Sequence, residues 1–211
     1  MPTIILLGIL GSTFLMVMAK RMPALIRSFR YQSFFLFVII FIAAFKENRL
    51  DLYIVAALII VLKVLAIPYF LSSTAKKIKV DENLGLFINS QLSLIIALIL
   101  TYFSWAFSKN LGFSGEYFPG IAITIAFSQV FIGAFLMISR MKAFTQVVGL
   151  LVMENGIFLL AASIGEGMPF FVETAIFFDV FVSVIVMGLF VYRINKLFTH
   201  IDVNKLSSLK G

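Results

Sequence analysis

Three charged side chains stand where an apolar chain tolerates them least. Glu154 lies in the middle of the stretch Ala143 to Ile164, Asp179 in the middle of Phe170 to Tyr192, and Lys63 in the middle of Leu52 to Leu71. Each stretch has the roughly 20 apolar residues that an α-helix needs to cross a bilayer. A charge at the centre of such a helix costs about 2.5 to 3.5 kcal/mol on insertion scales, and by default it marks a functional site. Carboxylates and lysines are groups that exchange protons. Burial raises a carboxylate pKa and lowers a lysine pKa, bringing both toward neutrality, while a nearby opposite charge works against those shifts. The occupancy of one such site therefore controls the affinity of the next.

Depth follows from the helical rise of 1.5 Å per residue. Entering from opposite sides, Glu154 and Lys63 each lie roughly 16 Å into their segments and Asp179 roughly 14 Å, about half of a ~30 Å hydrocarbon core. Charges stacked at one level suit lateral transfer in the membrane plane better than a path straight across it. Asn155 beside Glu154, and Ser183 one turn after Asp179 on the same face, are short polar side chains suited to holding waters there. The competing reading is structural: intramembrane ion pairs also fix helix register.

The other marked residues read as packing. Asn89, Ser90, Gln91, Ser128 and Gln129 are expected to be interhelical hydrogen-bonding glue. Pro68 is expected to kink the inner end of its helix. Gly8, Gly11 and Gly149 are expected to permit close approach, and the phenylalanines to be lipid-facing bulk.

Composition sets the class. Of 211 residues, 62% are hydrophobic and 13% charged, far from the roughly 45 to 50% and 25% of a soluble domain. The reading is an all-α integral membrane protein. With no cysteine and one histidine, His200, disulfides and iron–sulfur ligation are excluded, and a zinc or haem site is not expected. No cofactor is expected on this chain. The net charge of +7 does not indicate nucleic acid, because the basic residues sit in short loops on one side. The apolar start, Met1 to Met18, has no basic region before it and no small-residue cleavage site before Lys20, and is read as a retained helix.

Seven spans are expected: Thr3–Met18, Ser28–Phe45, Leu52–Leu71, Leu84–Phe107, Phe118–Ile138, Ala143–Ile164 and Phe170–Tyr192. Lys20, Arg21, Arg27 and Arg30 follow the first, Lys76, Lys77 and Lys79 the third, Arg140 and Lys142 the fifth, and Arg193, Lys196, Lys205 and Lys210 the seventh. The alternate loops hold only Lys46, Arg49 and Lys109, and the last carries Glu166 and Glu173. This positive-inside pattern implies an outside N-terminus and a cytoplasmic C-terminus. Spans one to three and five to seven have the same layout. This suggests a parallel three-helix repeat, with residues 1–83 and 118–211 as its units and 84–117 as a linking fourth helix. Gln32-Ser33 would answer Glu154-Asn155 in that repeat, although Gln32 reads as lying near the inner interface.

The stretch from Arg140 to Gly211 resembles the K subunit of respiratory complex I. A basic pair precedes a helix reading G-L-L-V-M-E-N, Gly149 to Asn155. A second helix carries Asp179, and the tail reads H-I-D-V-N-K-L-S-S-L-K-G from His200. The family glutamate aligns near Leu151, so Glu154 is displaced by one turn, nearly on the same face. Over the full length the chain is similar to the hydrogenase-4 component E family. The shared stretches are K-V-L-A-I-P at Lys63, L-V-M-E-N-G at Glu154, D-V-F-V-S-V-I-V-M at Asp179, and the D-V-N-K-L-S-S-L-K-G ending.

The resemblance implies a non-redox subunit of a redox-driven proton-translocating complex in the cell inner membrane, with Glu154, Asp179 and Lys63 as relay. Its implied partners are antiporter-like and other complex-I-like membrane subunits and a hydrogenase or other redox module. Any nickel–iron and iron–sulfur centres would sit on those partners. A K-like subunit of a multi-subunit cation/proton antiporter is the alternative, and a purely structural assembly subunit a third.

Overall fold

The structure is a computed structural model and describes residues 2–48, 50–77, 88–110, 117–140 and 143–164. The described residues are helical almost throughout. Helix α1 spans Pro2–Met18 and α2 spans Met22–Glu47. Helix α3 (Leu50–Leu58), a π-helical segment (Ile59–Ala66) and α4 (Ile67–Lys77) follow one another without a break and form the third rod. Helices α5 (Ser90–Asn110), α6 (Tyr117–Ser139) and α7 (Ala143–Ile164) complete the described bundle. Five of the rods are long and apolar enough to cross a membrane, and Thr3–Met18 is a shorter apolar helix. The seventh expected span, Phe170–Tyr192, lies outside the described residues.

Two starts and stops repay attention. Helix α2 begins at Met22, six residues before the expected Ser28, with a proline in its first turn. Proline is pre-organised for that position, where its missing N–H would have no helical partner anyway. Arg27 and Arg30 therefore stand on the exposed face of a helix and not in a loop. At its other end α2 stops on Asn48, in left-handed conformation with φ 50°, which asparagine tolerates better than most residues.

The third rod departs from α-helical geometry over Ile59–Ala66, where the Ile67 N–H reaches back to the Leu62 carbonyl. Pro68 follows directly and cannot supply the N–H that would bond Val64. The departure from α-helical geometry thus lies on the N-terminal side of Pro68, in the segment that carries Lys63.

The core divides into two apolar clusters. One joins Met16 and Val17 of α1, Leu25 and Phe29 of α2, Ile67 and Leu71 of α4, Ile132 and Leu136 of α6, and Val148 to Val152 of α7. The other joins Leu6 and Ile9, Leu36, Ile39 and Ile40, Val55, Ala56 and Ile59, Ala122, Ile125 and Ala126, and Phe158 with Leu159. Between them, α1, α2, the third rod, α6 and α7 each carry buried polar residues: Thr13, Gln32 with Ser33, Lys63, Ser128 with Gln129, and Glu154 with Asn155. The bundle has a polar layer between two apolar halves.

Candidate functional site

That layer holds the candidate site. Lys63 is wholly buried and comes from the π-helical segment, a local geometry frequent at functional sites. Its Nζ lies 3.3 Å from Glu154 Oε1 on α7, with side-chain exposures of 0% and 3%. It also donates to Asn155 Oδ1 at 2.8 Å and stands 5.9 Å from the centroid of the Phe158 ring. Two neighbouring residues of α7 thus offer the ammonium an anionic and a neutral acceptor. Phe158, one turn after Glu154, adds the negative face of its ring.

The polar contacts continue away from the ion pair. Asn155 Nδ2 donates to Gln32 Oε1 at 3.0 Å and lies 3.4 Å from Ser33 Oγ. Gln32 Nε2 donates to Thr13 Oγ1 at 2.8 Å, and the Thr13 hydroxyl donates to the Ile9 carbonyl at 2.9 Å. Gln32 was expected near the inner interface. It is fully buried beside Asn155, because the early start of α2 puts ten residues, roughly 15 Å of helix, before it.

Asn155 was expected to hold waters, and it bonds Lys63 and Gln32 directly. Asp179 and Ser183 fall outside the described residues. Thr13, Gln32 and Phe158 are site members that sequence reading missed. The proline in the first turn of α2 was the signal that would have corrected the level of Gln32.

Several packing expectations change. Ser128 Oγ bonds its own helix at Thr124, so it joins no second helix by that bond. Gln129 is fully buried, and neither amide atom has a hydrogen-bond partner among the described residues. Gly11 has nothing near its would-be Cβ, whereas Gly8 meets the Phe35 ring at 3.1 Å and Gly149 meets backbone. Phe29 is a core residue.

Arg140 was read as a loop charge, yet it is 2% exposed. Its Nη2 donates to the Val17 carbonyl at 2.8 Å and its Nη1 to Ala19 at 3.4 Å. It thereby caps the C-terminal end of α1, where carbonyls lack helical partners and positive charge is favoured. Burial lowers its pKa from the ordinary arginine range to about 10, so it stays charged at neutral pH.

A bundle of long apolar helices with a buried ion pair across its middle defines an all-α, multi-pass membrane protein. An uncharacterized protein of Mycobacterium tuberculosis (strain ATCC 25618 / H37Rv) is 28% identical over 210 residues, covering 96% of this chain and 93% of the relative. Hydrogenase-4 component E of Escherichia coli (strain K12) is 30% identical over 152 residues, covering 71% of this chain and 69% of the relative. The protein of the same name from Shigella flexneri matches to the same extent. The chain belongs to the hydrogenase-4 component E family. No family model and no solved structure matches it.

Proposed function

We propose that this chain is a non-redox membrane subunit of a hydrogenase-type complex that couples electron transfer to proton translocation, and that Lys63 and Glu154 form a proton station in the middle of the membrane. The observation that carries the reading is the ion pair itself. Two helices distant in sequence bring their buried charges to 3.3 Å at one level, at a cost that a merely structural contact between apolar helices would not require. Asp179 is the next station in this reading and Ser183 its support. The likeness of the C-terminal part to the complex I K subunit supports a place beside antiporter-like subunits. With no cysteine, the chain has no thiolate to ligate a nickel–iron or iron–sulfur centre, so the redox chemistry belongs to partner subunits. The basic-loop pattern supports a C-terminus facing the cytoplasm across the inner membrane.

Glu154→Gln keeps the shape of the side chain and removes the titrating group. Protons translocated per electron should fall about tenfold or more, while complex assembly and electron transfer to an artificial acceptor persist. Asp179→Asn should act in the same direction. Unchanged translocation in the double variant would leave a register-fixing ion pair as the better reading.

A further inference from the structure

The polar chain beyond Lys63 has a direction, and one charge dictates it. An ammonium only donates hydrogen bonds, so the Asn155 atom 2.8 Å from Lys63 must be its carbonyl oxygen. That turns the Asn155 NH₂ toward Gln32, which must meet it with Oε1. The Gln32 NH₂ is then left for Thr13 Oγ1, whose own proton goes to the Ile9 carbonyl. Flipping any one amide would set donor against donor. Lys63, Asn155, Gln32 and Thr13 are each 0% or 1% exposed, so bulk solvent does not screen the alignment. Such aligned chains polarise one another and strengthen each link.

The geometry assigns Asn155, Gln32 and Thr13 as positioning residues: a one-way hydrogen-bond chain, anchored on the backbone of α1, that holds the Lys63 ammonium in place independently of Glu154. The inference rests on reading the pair as a proton station, and it divides the labour within it. Lys63 is the fixed cation, and Glu154 is the group that takes up and gives back a proton. Were Glu154 the only acceptor, protonating it would leave the ammonium uncompensated in an apolar interior, a costly state. The amide chain gives the ammonium an acceptor that does not titrate, so the site keeps its shape in both states of Glu154.

The test is a double-mutant cycle on the full-length chain in its complex, extracted from native membranes and read by thermal unfolding. Gln32→Met and Thr13→Val preserve volume and remove the chain's polar atoms. Each should lower the unfolding temperature by roughly 3 °C when Lys63 is present, and Thr13→Ser should restore it. In a Lys63→Met background both shifts should vanish, because the charge that orders the chain is gone. If Lys63→Met alone does not accumulate, Lys63→Met/Glu154→Gln supplies the uncharged background. Equal shifts in both backgrounds would overturn the assignment and make the chain ordinary interhelical glue. Proton translocation is measured separately on Glu154→Gln. Coupling without any translocation defect would refute the proton station and leave the cation anchor standing, while a translocation defect without coupling would do the reverse.

Discussion

Helix α7 has two faces that hold the bundle together by opposite means. One face carries the glycines Gly149 and Gly156 and brings backbone close to α6. A Cβ on Gly156 would fall 2.7 Å from the Ala126 carbonyl oxygen and 2.8 Å from Gln129 Cβ. One on Gly149 would meet the Gly133 carbonyl at 2.9 Å, and one on Gly133 would meet Met153 N at 2.6 Å. Backbone lies on backbone along the α6–α7 seam, the small-residue packing that membrane helices use where no hydrophobic force separates helix from lipid. The other face carries Glu154, Asn155 and Phe158 against α2 and the third rod. Dispersion is short-ranged and unforgiving in geometry, and charge attraction at low dielectric is strong but weakly directional. The glycine face therefore sets the height and rotation of α7, and the polar face uses that setting. Glu154 is two residues from Gly156, so it cannot move without the seam.

The largest expected effect comes from breaking the glycine face. Gly156→Leu drives a side chain into the backbone of α6, where no rotamer change relieves it. The chain should fail to accumulate in membranes, as immunoblots against the C-terminus would show. Normal accumulation would mean that the seam is not the rigid side of α7.

Breaking the polar face should cost less and be repairable. Lys63→Met removes one partner of a buried ion pair, at about 3 to 5 kcal/mol. Adding Glu154→Gln should recover most of that stability, since a neutral pair with the same packing is often no worse than the ion pair. Thermal unfolding of the two variants checks this, and a double variant as unstable as the single one would show that Lys63 contributes by packing alone.

The smallest effect sharpens the comparison. Gln129 sits beside the glycine seam, and neither amide atom has a partner among the described residues. Gln129→Leu removes that penalty at similar volume and should be neutral or stabilising by about 1 kcal/mol. A marked loss of translocation without loss of stability would instead place Gln129 with the polar face in function.

Helix α7 was legible in the sequence to its ends, Ala143 and Ile164, because Arg140 and Lys142 precede a mainly apolar run of helix length. The shared level of Lys63 and Glu154 was legible as well, since helical rise converts residue counts into depth. The start of α2 was misjudged. Arginines at positions 27 and 30 read as loop by charge, although their long side chains reach water from a helix surface. That one error displaced Gln32 from the middle of the bundle to its edge.

The sequence by itself therefore determined the membrane character of the chain, most of its helices, and the shared level of the buried charges Lys63 and Glu154. These follow from composition and from local periodicity. Which residues meet was decided only by the tertiary structure: Asn155 with Gln32, Gln32 with Thr13, and Arg140 with the end of α1. Depth is one coordinate, fixed by position along each helix. The other two, the rotation of each helix about its axis and its choice of neighbours, are set by how side chains and glycines fit across the whole bundle. No local stretch of sequence contains that information.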